Sequence, residues 1–200
     1  MARLFHFNNV FQTSAVCYLE LRRINTIRHY LSEDATKTLI CAFILSRLDY
    51  CKALLSFSPK HLLDRLQKVQ NNAAQLIYRS SKFNHITPLL HTPHWFPIEK
   101  RINFKLASVS FKSLNGPAPT YFSDLFHFYT PRQLRSADTP VFRIQSFCTK
   151  SSGQRFLSYQ APTTWNKLPA SIRHASSVSS FKSSLKTFLF SKTFSSVPMP

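Results

Sequence analysis

The sequence predicts a mainly α-helical protein: a bundle of about four helices, then a small β-hairpin segment and a C-terminal helix. Three observations carry this expectation. Apolar residues recur at three-and-four spacing in several long stretches, the pattern of helices that each bury one face. Only two glycines occur, Gly116 and Gly153, against twelve prolines, so proline punctuates the chain and glycine-dependent turns are scarce. Late in the chain "VFRIQSFCT" alternates apolar and polar residues, as a half-buried strand does.

Residues 1–15 stand apart, residues 16–116 read as a helical domain, and residues 117–200 as a smaller α+β segment. The first helix is expected from about Ser14 to Leu31 and carries Arg22, Arg23 and Arg28. Next, Ser32 is an apt N-cap, with Glu33 and Asp34 in the first turn, where the helix dipole favours acids. From Leu39 to Leu55 nearly every position is apolar, which predicts a central helix buried all round. In "SPKHLLDRLQKVQNNAAQLIYRS", Ser58 is expected to cap and Pro59 to take the first helical position. Leu62, Leu66, Val69, Ala73 and Leu76 make the inner face of that helix. Its opposite stripe is Arg65, Lys68, Asn72, Gln75 and Arg79.

A helix from about Ile98 to Asn115 follows, with Ile98, Ile102, Leu106 and Val109 inward and Arg101, Lys105 and Lys112 on an outer face. Gly116 and Pro117 stop it. "VFRIQSFCT" and "QRFLSYQ", joined through "SSG", predict a hairpin. "APTTWNKLP" reads as a proline-framed turn or short helix. In the last helix Val178, Phe181, Leu185, Phe188 and Leu189 share one face, with Lys182 and Lys186 on another.

Twenty-six Lys and Arg oppose eight Asp and Glu, a net charge of +18. Such an excess favours polyanionic partners, through steering and counterion release; a secreted basic protein or a ribosome-like packing piece shares the same balance. After Asp138 no acid occurs, so eight basic residues from Arg143 to Lys192 are unopposed. Aromatic residues, 14% of the chain, often adjoin Lys or Arg, as in "KFNH" and "INFKL". Stacking combined with phosphate contacts suits single-stranded nucleic acid or an RNA–DNA hybrid. For Phe181, Phe188 and Trp95 the reading is core. The basic stripes give the candidate nucleic-acid contacts: Arg65, Lys68, Gln75, Arg79, Arg101, Lys105 and Lys112.

Catalysis finds little to work with. There is no glycine-rich phosphate loop, no G-x-S-x-G elbow and no paired aspartates for two-metal phosphoryl chemistry. "HITPLLHTPHWFPIEKR", residues 85–101, gathers His85, His91 and His94, but their spacing is wide for zinc and no second ligand cluster stands near. The expectation is a rigid corner, not a metal site, with no cofactor and no catalytic residue. Cys17, Cys41, Cys51 and Cys148 lack disulfide-scaffold spacing, and Cys41 and Cys51 read as reduced core thiols. "LICAFIL" is too short to span a bilayer and no secretory signal is evident. The protein is expected in the nucleus or cytoplasm.

Taken in order, "SRLDYCKALLS", "LDRLQKVQNNAAQLIYRS", "HITPLLHTPHWFPIEKRINFK" and "SYQAPTTWNKLPASIR…SFKSSLKTFLF" resemble the C-terminal region of reverse transcriptases from LINE-type, jockey-like non-LTR retrotransposons. That pattern runs S-R-L-D-Y-C-N-x-L-L, L-Q-x-V-Q-N-x-A-A-R-L-I, H-I-T-P-L-L-x-x-L-H-W-L-P-V, A-P-x-L-W-N-x-L-P and F-K-x-x-L-K-T-x-L-F. The likeness covers about residues 16–192 and implies the thumb and downstream segment of the polymerase, which holds template RNA and the primer–template hybrid. His85, Thr87, Pro88, His94, Trp95, Pro97 and Trp165 match it. His91 does not, and Lys52 and Gln75 stand where the family favours Asn and Arg. The palm with its Y-x-D-D motif and the endonuclease domain have no counterpart here, so the resemblance implies a non-catalytic segment whose corner wedges Trp95 between basic helices.

Overall fold

In the computed structural model, residues 2–50, 58–115, 126, 141–145 and 157–195 are described, with side chains from Val10 onward. The fold is mainly α, and no β-strand occurs among the described residues. By compactness the chain divides into two units, Met1–Arg101 with Thr193–Pro200, and Ile102–Lys192.

In the first unit, α1 (Ala2–Ile27) leads through a 3₁₀ turn (Arg28–Tyr30) to α2 (Glu33–Ile40). The helical path continues through a π segment (Cys41–Leu45) into α3 (Ser46–Tyr50). Next come α4 (Lys60–Ile77), α5 (Ile86–His91) and the start of α6 (Ile98–Leu114). Helix α1 lies against α4, α2, the π segment and α3, and α4 also touches α2, the π segment and α5.

Helix α1 begins well before the expected Ser14, and among the residues with described side chains its buried seam already includes Val10. Val10, Ser14, Cys17, Leu21, Ile24 and Arg28 are all buried and alternate by four and three positions, as residues facing one partner helix do. Two members of this seam are polar and one is a cation, which hides it from a hydrophobicity reading. Ser32 caps α2 as expected: its Oγ accepts from the Ala35 N–H at 3.2 Å. Ser58 does not cap α4. Helix α4 opens at Lys60, the Pro59 carbonyl accepts from the N–H groups of Leu62 and Leu63, and the buried Ser58 Oγ has no partner among the described residues.

The run from Leu39 is not buried all round. Ile40, Ile44, Leu45 and Leu48 point inward, whereas Cys41, Ala42 and Phe43 are exposed. A π turn adds a residue to the helical cycle, and it leaves this apolar run with an open side. Cys41 is therefore a surface thiol rather than a core one, and Cys51 and Cys148 lie outside the described residues.

The second unit carries the rest of α6, then α7 (Leu157–Asn166), α8 (Ala170–Arg173) and α9 (Val178–Phe194, to Lys192 in this unit). Its core is aromatic. The Phe111 and Phe181 rings stack at 4.2 Å, Trp165 lies 5.8 Å from both Phe181 and Phe142, and Phe126 lies 5.3 Å from Phe142. Offset and tilted rings at these separations add to the area they bury. Phe181, Leu185 and Leu189 form the buried face of α9 as expected, with Phe188 half-buried beneath Lys192.

The hairpin expectation is met by no strand pair among the described residues, and residues 146–156 of it lie outside them. Leu157–Gln160, half of the second predicted strand, open α7, and the turn at 151–153 lies outside the described residues. Phe142 makes a β-bridge, and a side chain also pairs with its backbone. Asn166 Oδ1 accepts from the Phe142 N–H at 3.0 Å, and Asn166 Nδ2 donates to the Phe142 carbonyl at 2.9 Å. One amide thus satisfies both backbone groups of a buried extended residue. Periodicity cannot anticipate a partner of that kind.

Candidate nucleic-acid interface

Helices α1 and α4 run parallel, as hydrogen bonds at their two ends establish. Near the start of α4, Arg65 Nε donates to Ser14 Oγ at 2.9 Å. Near its end, Arg28 Nε donates to the Leu76 carbonyl at 3.0 Å and Arg28 Nη2 to the Ile77 carbonyl at 2.6 Å. Arg28 Nη1 also donates to the Leu31 carbonyl at 2.8 Å. The last turn of a helix leaves carbonyls unpaired and carries partial negative charge. A buried guanidinium aimed at them satisfies the carbonyls and opposes that charge. Arg28 is thus a structural cation.

Above this seam lies an open groove of about 650 Å³. From α1 and the turn after it come Tyr18, Leu21, Arg22, Asn25, Arg28 and His29. From α4 and its exit come Asn72, Gln75, Leu76, Arg79 and Ser80. Leu21, Leu76 and the stem of Arg28 are its apolar and structural parts, and amides, a phenol and two further guanidiniums are its polar ones. Polar positions 18, 22 and 25 on α1, with 29 in the turn after it, repeat the four-three-four spacing of 68, 72 and 75 on α4, with 79 just past its end. Parallel helices keep two such rows side by side along the groove.

Arg22 and Arg79 are exposed, and neither is paired with a carboxylate among the described residues, where the ion pairs are Arg23–Glu20 at 3.1 Å and Arg101–Asp49 at 2.8 Å. Arg79 donates a long bond of 3.3 Å to the Arg28 carbonyl. It also adopts a left-handed backbone, φ 48°, while the Ser80 N–H reaches back to the Gln75 carbonyl at 3.0 Å. This six-to-one closure ends α4 in a position usually given to glycine, and in a chain with two glycines Arg79 takes it.

The seven residues expected to contact nucleic acid therefore separate. Gln75 and Arg79 line the groove, and Lys68 is exposed one turn before Asn72 on the same helix. Arg65 turns inward instead, bonded to Ser14 with its guanidinium 4.1 Å from the Phe11 ring centroid. Arg101 is also internal: its side chain is only 11% exposed, Nε donates to the Phe96 carbonyl at 3.0 Å and Nη1 to Asp49 Oδ1 at 2.8 Å. Lys105 is exposed and Lys112 half-buried, both in the second unit. Tyr18, Asn25 and His29 were missed, and Arg22 had been noted only as basic. Their common spacing and the stripe on α4 are both visible in the sequence; that the two line one groove is not.

The corner at 85–101 holds by backbone chemistry. His94 N–H bonds to the His91 carbonyl at 2.9 Å and Trp95 N–H to the Leu90 carbonyl at 2.8 Å, with His94 left-handed at φ 57°. That is a Schellman closure, with Trp95 and Leu90 both buried in the places of its hydrophobic contact. His85 precedes α5 at its N-cap without a side-chain capping bond, and Pro97 accepts from the Arg101 N–H at 3.0 Å as α6 begins. The His91 ring stacks 6.2 Å from His94 and meets Phe194 edge-on at 5.2 Å. Trp165 is fully buried in the second unit.

Among the described residues no three His, Cys, Asp or Glu converge on a possible metal site, and no helix is long and apolar enough to cross a membrane. Burial pushes the Cys17 thiol up to about 11, partly opposed by Arg47, and burial raises the Cys41 thiol as well.

No protein-family model, curated protein or solved structure matches the chain.

Proposed function

We propose that this chain is a non-catalytic segment of a non-LTR retrotransposon reverse transcriptase that binds RNA or an RNA–DNA hybrid along the α1–α4 groove. One observation carries the binding reading: Arg22 and Arg79, without carboxylate partners among the described residues, line an open groove with Asn25, Asn72 and Gln75. The chain around them has a net charge of +18, so a phosphate backbone is the complementary ligand. The assignment to a reverse transcriptase rests on the collinear motifs of the sequence. Amide side chains beside the guanidiniums supply further donors to phosphate or sugar oxygens.

The test is fluorescence anisotropy across a salt series with structured RNA, DNA duplex and RNA–DNA hybrid. Replacing Arg22, Lys68 and Arg79 with Ala is expected to weaken binding and lower the salt slope by about 0.7–0.9 per lost phosphate contact. Arg65→Ala is the control, since its charge is engaged within the fold, and is expected to leave the slope unchanged. An unchanged slope in the triple variant would remove the groove assignment.

A second reading, a protein-interaction module, is favoured by the open apolar side at Cys41, Ala42 and Phe43 and by Tyr50, 90% exposed. Wild-type protein without saturable, salt-dependent binding would leave this reading in place of the first.

A further inference from the structure

Just beyond groove residues His29 and Ser80 the chain carries two exposed aromatic rings, and these carry the choice of ligand further. Tyr30 is 82% exposed and Phe83 is 84% exposed, although burying a ring of that size is ordinarily favourable. Both sit at the same end of the groove. Tyr30 follows the groove residue His29, whose ring packs 3.8 Å from it. Phe83 lies three positions beyond the groove residue Ser80, in a turn where Asn84 Nδ2 donates to Ser80 Oγ at 2.7 Å and the Asn84 N–H to the Ser81 carbonyl at 3.1 Å. The chain segments that bear them are tied together, since Arg28 bonds the end of α4 and Arg79 bonds the Arg28 carbonyl. Each ring also has basic or polar company: Lys82 Nζ stands 5.0 Å from the Phe83 ring centroid.

We infer that the groove takes a single strand with unpaired bases, its phosphates along Arg22 and Arg79 and its bases stacked on Tyr30 and Phe83. This rests on the groove's being a nucleic-acid site and goes beyond it by choosing unpaired nucleotides over a duplex. A ring open to solvent offers a face that any base can cover, whereas paired bases keep their faces inside the helix. From Tyr18 to His29 the groove runs roughly 16 Å along α1, the length of about five stacked nucleotides. Groove and stacking faces therefore match a short stretch of strand. The two guanidiniums and the two rings read phosphate and base, so RNA and DNA single strands share that chemistry.

The experiment uses the full chain and fluorescein-labelled twelve-nucleotide strands: oligouridine, oligothymidine, an abasic strand, and a duplex of the same length. The Tyr30→Ala/Phe83→Ala double variant is expected to bind oligouridine at least about tenfold more weakly than wild type. Its affinity for the abasic strand and the duplex, and its salt slope, are expected to stay the same, because no cation is removed. A loss on oligouridine but not oligothymidine would add selectivity for the ribose or for the base lacking a 5-methyl group to the same site, and equal losses would leave the shared chemistry. Equal binding of oligouridine by wild type and variant, or wild-type binding of the abasic strand as tight as of oligouridine, would overturn the stacking inference while the groove reading stands. Absence of saturable binding to every strand would overturn both. Both rings are exposed, so their removal leaves the core intact, and circular dichroism checks this.

Discussion

The buried side-chain amide of Gln70 donates a hydrogen bond of 2.8 Å to the Phe96 carbonyl, joining α4 to a loop twenty-six positions further on. The same carbonyl accepts from Arg101 Nε at 3.0 Å. Beside it, Gln67 Oε1 accepts from the Ile98 N–H at 2.8 Å, and Gln67 Nε2 donates to Gln70 Oε1 at 3.2 Å and Asn71 Oδ1 at 2.8 Å. Proline after Phe96 keeps that residue out of helical geometry, so its buried carbonyl requires a partner from elsewhere. Two glutamines of α4 thereby fix the corner and the start of α6.

Gln70→Leu keeps the volume near that of glutamine but withdraws the donor. It is expected to lower unfolding stability by about 2 kcal/mol, the cost of a weakened buried polar pair. Urea titration followed by circular dichroism measures it, and a change below about 0.5 kcal/mol would show that Arg101 alone suffices for the Phe96 carbonyl.

His94 and Arg79 occupy left-handed positions, φ 57° and 48°, that cost a side-chain-bearing residue about 1 kcal/mol. His94→Gly relieves that strain and is expected to raise stability by about 0.5–1 kcal/mol, the higher entropy of the unfolded glycine chain offsetting part of the gain. His94→Val is expected to lower stability, because a β-branched residue tolerates this region least. The two thermal midpoints should therefore fall on opposite sides of wild type. Coincident midpoints would mean that the closure after α5 is not under strain.

The buried Cys17 thiol, raised from 9.0 to about 11, makes stability depend on alkaline pH. Above pH 9 the unfolded chain releases this proton while the folded chain retains it. The unfolded state then binds fewer protons, and stability falls as pH rises towards about 11. The loss attributable to Cys17 is roughly 2–3 kcal/mol, and Cys17→Ala is expected to flatten that part of the profile. In the native protein at pH 8, a maleimide is expected to modify exposed Cys41 well before Cys17, with peptide mass mapping as the readout. Equal rates would contradict the burial of Cys17 in the α1 seam.

Helix α4 was legible because Leu62, Leu66, Val69 and Ala73 repeat at helical spacing and all are buried. The C-terminal helix was legible for the same reason, through Phe181, Leu185 and Leu189. Helix α1 was harder to read, because Ser14 and Arg28 share its buried seam and neither signals burial by type. Of the hairpin expected over 141–160, Leu157–Gln160 are helical instead, since a short apolar and polar alternation does not by itself exclude a helix. Part of the candidate groove, Asn72, Gln75 and Arg79, stood in the sequence as one stripe with Lys68.

By itself the sequence determined the mainly helical class, the excess of positive charge and which face of α4 turns inward, because these follow from local spacing and composition. Tertiary structure decided which cations are offered to a ligand. Arg65, Arg101 and Arg28 look no different from Arg22 and Arg79 along the chain. Yet Ser14, Asp49 and the carbonyls at the end of α4 engage the first three at 3.0 Å or less. Arg22 and Arg79, by contrast, are exposed, no carboxylate pairs with either among the described residues, and Arg79 makes a long bond of 3.3 Å to the Arg28 carbonyl. The reason is that a guanidinium's availability depends on acceptors brought near by folding, as much as fifty-two positions away in the chain, and local pattern carries no record of them.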